Sequence, residues 1–251
     1  MFQEERHDQI LNHLKENHSV RIAELSEHLG VTRETIRKDL YDLEKKGLIR
    51  KVHGGAVLNK TSEEPSYFAR STISLPEKEL IAAKAAEFVE DGDSIYIDIG
   101  TTTLLFAKKI KAKNITVITN SVLAAMELNN REGAKIILSG GELRPGEMSL
   151  SGPIANQSLQ NIYIDKAFIG VGGLSESGIT DYHIGESELR RMMLVHAKER
   201  FALVDHSKVN VTAFFKSASV HELHVVITDK KTPAGMVEYL KNHGVKVIVV
   251  G

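Results

Sequence analysis

Residues 32–55, TRETIRKDLYDLEKKGLIRKVHGG, decide the fold of the amino-terminal part of this chain. Thr32 carries a hydroxyl suited to cap a helix, and apolar residues at helical spacing follow it. At about 100° per residue, these side chains lie within roughly 60° of one another and form one inward face. They are Ile36, Leu40 and Leu43. Residues 48–52 and 56–58 flank the turn 53–55 as short strands, so the stretch predicts a helix followed by a β-hairpin.

Two further helices are predicted upstream of this stretch. The first spans residues 3–17, and the second ends at Gly30, because glycine readily adopts the left-handed turn that closes a helix. Their apolar residues again recur at helical spacing: Ile10, Leu11 and Leu14 in the first helix, and Ile22, Leu25 and Leu29 in the second. A turn of about three residues separates the second helix from the third. Three helices and a hairpin in this order predict a winged helix-turn-helix in residues 1–58.

A winged helix-turn-helix places the first turn of its third helix against base edges and its hairpin on the phosphate backbone of duplex DNA. The charge of the whole chain, 32 Lys and Arg against 33 Asp and Glu, does not indicate a polyanionic partner. Between Arg33 and Lys51, however, seven basic residues outnumber four acidic ones. An isolated charged helix is more often a solvated surface, but the surrounding helices and hairpin favour binding to double-stranded operator DNA. The expected DNA contacts are Thr32, Arg33, Glu34, Thr35, Arg37, Lys38, Tyr41, Arg50, Lys51, His53, Gly54 and Gly55.

The composition of the chain excludes several other classes of protein. With 251 residues, of which 42% are hydrophobic and 26% charged, it is typical of a soluble globular protein with one small and one larger domain. No apolar run approaches a membrane span and the polar start MFQEER is not a signal peptide, so we expect no membrane partner and a cytoplasmic location. The absence of cysteine excludes disulfides and thiolate chemistry, and the 11 scattered histidines show no metal-ligand spacing. We therefore expect neither a metal nor another cofactor.

Beyond the hairpin, a polar connection leads to an α/β domain. Residues 59–66 contain a proline and lack periodicity, so we assign residues 59–76 to a linker and residues 77–251 to the second domain. In the second domain, short apolar runs alternate with helical stretches. The runs are residues 94–99, 115–119, 135–139, 166–171, 201–205, 224–228 and 246–250. This alternation predicts a mostly parallel sheet covered by helices on both faces.

The loop after the first of these runs carries the strongest indication of a ligand. Asp98 lies near the end of the run, Gly100 follows, and three threonines at residues 101–103 begin a helix. In open parallel sheets, ligands bind beyond the carboxyl ends of the strands. Backbone N–H groups at the start of the helix, together with the threonine hydroxyls, would hold a phosphate. Helix capping accounts for one threonine but not for three.

Four more loops at predicted strand ends supply polar groups and glycines. They are residues 119–121, 139–142, 170–173 and 204–208. Each alone is more often an ordinary turn or helix cap, but five such loops at one sheet edge would form a polar cleft for a small hydroxylated anion. Lys208 would provide positive charge, and Asp98 and Asp205 would accept hydrogen bonds from sugar hydroxyls. The candidate ligand residues in these loops are Asp98, Gly100, Thr101, Thr102, Thr103, Asn120, Ser121, Gly140, Gly141, Gly172, Gly173, Asp205 and Lys208.

The amino-terminal motifs resemble those of the DeoR/GlpR family of bacterial transcriptional repressors. The matching residues are Glu24-Leu25, Val31-Thr32, Thr35 to Leu40, Leu43-Glu44, Gly47 and His53 to Ala56. Family members usually have Ser where Thr32 stands and a second Arg where Lys38 stands. Thr32 keeps the capping hydroxyl, whereas Lys38 keeps the charge but loses the bidentate fork with which Arg binds guanine.

The resemblance extends over the second domain and therefore covers nearly the whole chain. The similar segments are Lys78, Ile81-Ala82, Asp98, residues 100–103, Val117, residues 119–121, Gly140-Gly141, residues 168–170, residues 178–180, Asp205 and Ser207-Lys208. In the family, this domain resembles ribose-5-phosphate isomerase and the coenzyme A transferases and senses phosphorylated sugars, which adds Lys78 to the candidate effector residues. The segment 181–188 is less standard. Glu186 either tunes which sugar binds or, with Glu188, starts a helix whose dipole favours carboxylates.

The resemblance implies a repressor of a carbohydrate catabolism operon that a phosphorylated sugar releases from DNA, without enzymatic activity. One helix and one wing cover too little DNA for useful affinity, so we expect a dimer or tetramer assembled through residues 77–251. One alternative is a sugar-phosphate isomerase-like enzyme with an appended DNA-binding domain, because the resemblance includes enzymes. A third hypothesis is a structural DNA-binding protein with a non-sensing dimerisation domain. The enzyme leaves residues 1–58 unexplained, and the structural protein leaves the glycine–threonine loop unexplained.

Overall fold

The third predicted helix of the chain runs from Arg33 to Lys45. The structure, a computed structural model, describes residues 3–17, 19–45, 48–58 and 63–251. It divides into two units, residues 1–73 and 74–251. The first unit contains, in chain order, α1 (Gln3–Asn17), β1 (Ser19–Arg21), α2 (Ile22–Leu29), α3 (Arg33–Lys45), β2 (Ile49–Val52), β3 (Gly55–Leu58) and α4 (Tyr67–Thr72). Gly47 of the family motif and residues 59–62 of the predicted linker lie outside the described residues.

The helices of the first unit pack their predicted apolar faces against one another. The buried set is Ile10, Leu14, Val20, Leu25, Leu29, Ile36, Leu40, Leu43, Ile49 and Ala56. Helices this short are marginal in water by themselves, so this shared core stabilises them. α2 ends at Gly30, whose φ of 64° is left-handed. The N–H of Thr35 donates to the Thr32 hydroxyl at 3.2 Å, and both predicted helix ends are confirmed.

A third strand, β1, completes the sheet of the first unit and is absent from the prediction. It pairs antiparallel with β3, and the strand order is β1-β3-β2. A Cβ atom on Gly55 would lie 1.9 Å from the carbonyl oxygen of Val20, so only glycine permits this approach of β1. Three residues are too few to display the alternation that identifies a strand, which explains why β1 was not predicted.

The connection between the predicted domains contains a helix. Ser66 caps α4 by accepting a hydrogen bond from the N–H of Ala69 at 3.3 Å. The next helix begins at Leu75, so the predicted linker, residues 59–76, is largely ordered from residue 63 onward. A six-residue helix is too short for helical periodicity to show in the sequence.

The second unit alternates strands and helices as predicted. Its elements are α5 (Leu75–Ala86), β4 (Ser94–Ile97), α6 (Thr101–Lys109), β5 (Thr116–Thr119), α7 (Val122–Leu128), β6 (Lys135–Leu138), β7 (Glu142–Arg144), β8 (Ser149–Ser151), α8 (Pro153–Leu159), β9 (Ile164–Ile169), β10 (Gly173–Ser175), β11 (Gly178–Asp181), α9 (Ile184–Val195), β12 (Ala197–Val204), β13 (Phe215–Ala218), β14 (Val225–Asp229), α10 (Ala234–Asn242) and β15 (Lys246–Val250). Within the described residues, no helix has the length and apolar composition needed to cross a membrane.

All seven predicted apolar runs form strands of one sheet. Its order is β15-β14-β12-β9-β4-β5-β6, and each neighbouring pair is parallel. The predicted parallel α/β sheet is therefore confirmed. Alternate residues of the strands face opposite cores, as the period of two requires. For example, Tyr96 and Ala202 face α8, α9 and α10, whereas Ile97 and Phe201 face α5, α6 and α7.

Two small antiparallel sheets accompany the main sheet. β7 and β8 form a hairpin, and β10, β11 and β13 form a three-stranded sheet. The sequence analysis does not predict them, and each of these five strands has only three or four residues. Both small sheets follow the carboxyl ends of main-sheet strands in the chain, which brings them close to the predicted ligand loops.

Candidate functional site

The residues predicted to contact DNA lie on α3, the recognition helix, and on the β2–β3 hairpin, the wing. Eleven of the twelve predicted residues are exposed or half-buried. The Arg37 side chain is 60% exposed, and its Nη1 lies 3.0 Å from the Glu34 carboxylate. Lys38 is also exposed on the outward face of α3. The face therefore offers both basic side chains to a polyanion, with Glu34 shielding part of the Arg37 charge.

The wing extends this basic surface. Nζ of Lys51 lies 5.0 Å from the centre of the Tyr41 ring and 3.2 Å from the Glu44 carboxylate, so the wing is tied to the recognition helix. His53 and Gly54 form the exposed turn between β2 and β3. Gly55 is the twelfth predicted residue, and it is buried against β1. The close approach of β1 explains why glycine stands at this position, and the sequence analysis did not include this reason.

A buried ion pair on the recognition helix was missed by the sequence analysis. Asp39 faces inward, and the Arg6 guanidinium on α1 donates to it through two nitrogens at 2.5 and 2.8 Å. The hydrogen bond to Asp39 raises the pKa of Arg6 above its ordinary value. The pair fixes α1 against α3. Arg6 and Asp39 are 33 positions apart, and local spacing carries no signal for such a contact.

The five predicted ligand loops meet at one edge of the main sheet. They follow β12, β9, β4, β5 and β6, which are adjacent in the sheet. Parallel strands have their carboxyl ends at the same edge, so the loops come together there. The N–H of Ile99 donates to the Asn120 side chain at 3.1 Å, and a Cβ atom on Gly170 would lie 3.1 Å from the Ile99 carbonyl oxygen. We refer to this edge as the carboxyl edge.

The amino end of α6 lies at the carboxyl edge beside a buried lysine. Lys78, on α5, is only 1% exposed, and its ammonium donates to the Thr101 hydroxyl at 3.2 Å. The same ammonium is 4.0 Å from the Asp205 carboxylate. Thr102 and Thr103 are also buried, and Thr103 donates its hydroxyl to the Gly100 carbonyl at 3.1 Å. The first N–H groups of a helix lack partners within the helix, so this end combines unpaired donors with a cation.

Asn120 has a buried donor without a partner. Its side-chain oxygen accepts hydrogen bonds from the N–H of Ile99 and the hydroxyl of Tyr96, both at 3.1 Å. Its Nδ2 is buried and has no hydrogen-bond partner among the described residues. A buried N–H group without a partner costs free energy, so an acceptor at this position would be stabilising. Ser121 instead uses its hydroxyl to cap α7 at the N–H of Ala124.

Asp98 is held inside the protein rather than facing an open cleft. Nε of Arg190 donates to its carboxylate at 2.5 Å, and the Tyr96 hydroxyl, which shares its single hydrogen between Asp98 and Asn120, lies 3.1 Å from each acceptor. Burial raises the pKa of Asp98 to about 6, although Arg190 opposes the shift. Burial alone would lower the pKa of Arg190, but the Asp181 and Asp98 carboxylates raise it above its ordinary value. The sequence analysis predicted that Asp98 binds sugar hydroxyls, and it did not predict a role for Arg190. Arg190 lies on the same face of α9 as the buried Glu186, Leu189 and Met193, and this helical spacing could have identified it as a buried charge.

The remaining predicted ligand residues include hydrogen-bonded side chains and closely packed glycines. Asp205 accepts hydrogen bonds from the N–H and hydroxyl of Ser207 at 3.0 and 2.5 Å, and Lys208 is half-buried beside it. Gly140 and Gly141 follow β6, at the end of the five-strand set. Gly172 and Gly173 are buried, and a Cβ atom on Gly173 would lie 2.3 Å from the carbonyl oxygen of Val211. Close packing therefore accounts for Gly173.

Glu186 and Glu188 differ in their surroundings. Glu186 is 3% exposed and accepts hydrogen bonds from Arg144 and Ser149, whereas Glu188 is exposed. The sequence analysis held both as possible helix-start carboxylates.

Across the described residues, no group of three His, Asp or Glu side chains is arranged to hold a metal ion.

A cavity of about 460 Å³ lies at the opposite, amino edge of the sheet. It is lined by Ser94, Tyr163, Ile164, Asp165, Val195, His196, Ala197 and Lys198. Its carboxylate, Asp165, already accepts hydrogen bonds from Ser94 and Lys198. The hydrogen bond from Lys198 is the main cause that lowers the pKa of Asp165 below its ordinary value. The carboxylate of this cavity is thus hydrogen-bonded, whereas Nδ2 of Asn120 at the carboxyl edge has no partner among the described residues.

Two family models match the chain and together span most of it. The DeoR-like helix-turn-helix domain matches residues 6–62, and the DeoR C terminal sensor domain matches residues 74–230. Among solved structures, ribose 5-phosphate isomerase A from Methanocaldococcus jannaschii matches 53% of this chain and 53% of its own, with a TM-score of 0.38 and 20% identity. The eIF2B delta structure from Chaetomium thermophilum matches 57% of this chain and 52% of its own, with a TM-score of 0.42 and 12% identity. The chain spans about half the length of these solved chains.

Curated relatives match over nearly the full length. The HTH-type transcriptional repressor GlcR of Bacillus subtilis (strain 168) is 37% identical over 99% of this chain and 97% of its own. The HTH-type transcriptional regulator GolR of Listeria innocua is 34% identical over 98% of both chains. The glycerol-3-phosphate regulon repressor of Escherichia coli (strain K12) is 32% identical over 98% of this chain and 99% of its own. The predicted resemblance is confirmed, and the chain belongs to the DeoR family of DNA-binding transcriptional regulators.

Proposed function

We propose that this regulator represses a carbohydrate catabolism operon and that a phosphorylated sugar bound at the carboxyl edge releases it from operator DNA. One observation carries the proposal: the buried Lys78 ammonium lies 3.2 Å from the Thr101 hydroxyl at the amino end of α6. That end is surrounded by four further polar loops. An ammonium removed from water is unfavourable unless anionic groups surround it, and Asp205 at 4.0 Å supplies one. A phosphate at the amino end of α6 would add further negative charge near this ammonium.

The phosphate would bind where several donors converge. Backbone N–H groups of Thr101, Thr102 and Thr103 point out of the amino end of α6, and the helix dipole favours negative charge there. Nδ2 of Asn120, on the neighbouring loop, is a buried donor that a ligand oxygen would satisfy. These donors support the assignment of Lys78, Gly100 and the three threonines to the phosphate end of the effector.

The chemical class of the effector is supported by the relatives. The Escherichia coli relative is named as the repressor of the glycerol-3-phosphate regulon. A Staphylococcus aureus relative, 32% identical over 91% of this chain, is named as the lactose phosphotransferase system repressor. The first name contains a phosphorylated polyol, and the second contains a sugar together with its phosphotransferase system. We extend this class of signal to the present chain.

DNA binding is proposed to use the recognition helix and wing of at least two copies. The surplus of positive charge between Arg33 and Lys51 is small, so one copy neutralises few phosphates. A dimer or tetramer formed through the second unit would present two or more such surfaces to repeated half-sites. The effector weakens DNA binding only to the extent that it binds the DNA-free form more tightly, typically by about 1–3 kcal/mol in such switches. We accordingly place this protein in the cytoplasm as part of the proposal.

Catalysis is the alternative that the fold leaves open. The buried carboxylates near the α6 end are engaged, Asp98 by Arg190 and Asp205 by Ser207. Neither is therefore placed as an unoccupied general base. These pairings, together with the regulatory relatives, support a sensor that binds its sugar phosphate without converting it. Turnover of a bound sugar phosphate would favour the isomerase instead.

The proposed site is tested by replacing Thr101 and Thr102 by Val together. Operator DNA is selected by the wild-type protein from a random pool, and its release is followed by fluorescence anisotropy. The titrants are glucose 6-phosphate, ribose 5-phosphate and glycerol 3-phosphate. We expect unchanged DNA affinity without sugar phosphate and a loss of release of about tenfold or more, because the phosphate loses two hydroxyl donors.

The matched control for this test is Thr212→Val, which removes an exposed hydroxyl elsewhere in the second unit. It should respond like the wild type. A double variant that releases DNA at the wild-type sugar phosphate concentration would show that the effector binds elsewhere. If no sugar phosphate releases the wild-type protein, the proposed effector class is wrong.

A further inference from the structure

Arg144 and Glu186 form an ion pair beside the proposed phosphate site. Nη1 of Arg144, on β7, lies 3.2 and 3.3 Å from the two Glu186 oxygens, and the Ser149 hydroxyl donates to the first oxygen at 2.5 Å. The Glu186 side chain is 3% exposed and the Arg144 side chain 25% exposed. The guanidinium is therefore the side of the pair that faces solvent.

The hairpin that carries Arg144 is attached to the Asn120 loop. The N–H of Leu150 donates to the Asn120 carbonyl at 2.8 Å, and the N–H of Val122 donates to the Met148 carbonyl at 2.9 Å. These bonds place β7 and β8 next to the residue whose Nδ2 has no partner among the described residues. The charge of Glu186 also acts on Asp98 and helps to raise its pKa, so the pair and the α6 loop are electrostatic neighbours.

We propose that Arg144, Glu186 and Ser149 bind the hydroxyl end of a phosphorylated sugar whose phosphate lies at the amino end of α6. This inference rests on the proposed function and specifies its ligand as a sugar phosphate with free neighbouring hydroxyls. The Glu186 carboxylate accepts from a sugar hydroxyl, and the Arg144 guanidinium donates to the next oxygen. The ion pair with Arg144 reduces the repulsion between the Glu186 carboxylate and a phosphate at the amino end of α6.

The hydrogen-bonding capacity of Glu186 supports this assignment. An ionised carboxylate offers about four acceptor positions. Oε1 accepts from Arg144 and Ser149, but Oε2 accepts only the 3.3 Å contact from Arg144 among the described residues. Oε2 therefore has an acceptor position left for a hydroxyl donor. Glu186 thus differs from an ordinary helix-start carboxylate, which bonds to the N–H groups of its own helix.

Stability alone does not account for this buried pair. Burying an ion pair costs desolvation that its attraction often only balances, and apolar replacements are frequently neutral or stabilising. A carboxylate that only favours the start of a helix can remain in water, as exposed Glu188 of α9 does. The burial of Glu186 therefore needs another reason. A carboxylate and a guanidinium held together next to a donor-rich loop are instead the groups that recognise a polyol.

The test measures the preference for sugar phosphate over inorganic phosphate. Calorimetry gives the affinities of the full chain for inorganic phosphate, glycerol 3-phosphate, ribose 5-phosphate and glucose 6-phosphate. The variants are Glu186→Gln and Ser149→Ala, with Glu188→Gln as the matched control on the exposed face of α9. We expect each of the first two variants to lower the preference for the tightest sugar phosphate by about tenfold, and the control to keep it.

The outcomes separate this inference from the proposed function. If the wild type prefers a sugar phosphate and both variants keep that preference, the hydroxyl end binds elsewhere and the inference is overturned, while the proposed effector class stands. If the wild type binds none of the sugar phosphates, both fail. Thermal unfolding identifies a misfolded variant, and the other variant then decides.

Discussion

Asp98 and Arg190 are buried together although both would be charged in water. The carboxylate and Nε are 2.5 Å apart, and Asp181 binds the same guanidinium at 2.5 Å. Two carboxylates share one arginine, so one negative charge remains inside the second unit. Burial is the main cause that raises the pKa of Asp98 from 3.8 to about 6, and the Asp181 carboxylate adds to the shift while Arg190 opposes it. Asp98 should therefore titrate close to neutral pH.

At the residue scale, we predict that replacing Asp98 by Asn changes how stability depends on pH. Between pH 3.8 and about 6 the folded protein binds the Asp98 proton more tightly than the unfolded chain does. The contribution of Asp98 to stability is thus present below this window and is lost as pH rises through it, by on the order of 3 kcal/mol at most. Urea unfolding of the wild type between pH 4.5 and 7, compared with Asp98→Asn, measures this loss.

The comparison with the variant is necessary because other carboxyl groups act in the opposite direction. The hydrogen bond from Lys231 lowers the pKa of Glu77, so its contribution to stability is lost as pH falls. Subtracting the Asp98→Asn curve removes such shared effects. Parallel curves for the two proteins across the whole range would show that Asp98 does not titrate there.

The recognition helix combines an apolar inner face with a basic outer face. The Arg6–Asp39 pair holds the inner side to α1, and Arg37 and Lys38 remain exposed on the outer side. Exposed basic side chains that bind phosphates release counterions from DNA, which makes binding dependent on salt. The outer face of α3 is thus an element whose role can be measured through salt dependence.

At the element scale, we predict that replacing Arg37 and Lys38 by Ala weakens operator binding and lowers its dependence on salt. Each lost phosphate contact should reduce the slope of log affinity against log salt by about 1. Anisotropy titrations at several salt concentrations give the slope. As the control, Lys108→Ala with Lys111→Ala removes two exposed charges from the second unit. An unaltered slope for the Arg37 and Lys38 variant would place the DNA contacts on another surface.

For the whole molecule, affinity depends on how many winged helices bind one DNA segment. Linking two binding modules makes the second contact intramolecular and raises affinity by about 10²- to 10⁴-fold. The second unit, residues 74–251, is the larger part and carries the proposed assembly function. Without the second unit, the recognition helix should still form, but only one copy of it should bind each DNA segment.

We predict that the full chain sediments as a dimer or tetramer, and that residues 1–73 alone bind the same operator at least about 10²-fold more weakly. Sedimentation velocity and anisotropy measure the two quantities. Circular dichroism confirms that the fragment is helical before its affinity is interpreted. A monomeric full chain, or equal affinities for the fragment and the full chain, would contradict assembly through the second unit.

Several features of the protein were determined by the sequence alone. The winged helix-turn-helix follows from Thr32, Gly30 and the apolar face of α3, since caps and helical periodicity are local properties. The seven strands of the main sheet follow from short apolar runs in the same way. The five polar loops could also be assigned to one edge, because parallel strands end on the same side.

Only the tertiary structure decided which of these polar residues face each other. Asp98 and Arg190 are 92 positions apart, and Arg144 and Glu186 are 42 apart, so their pairing depends on strand order and on the β7–β8 hairpin. Strands of three residues, such as β1 and β7, are too short to show a period. The sequence therefore determined the elements and the edge where the ligand groups gather, because those depend on neighbouring residues. The structure decided that Asp98 is held by Arg190 and that Glu186 is paired with Arg144, because long-range contacts arise only when the sheet is assembled.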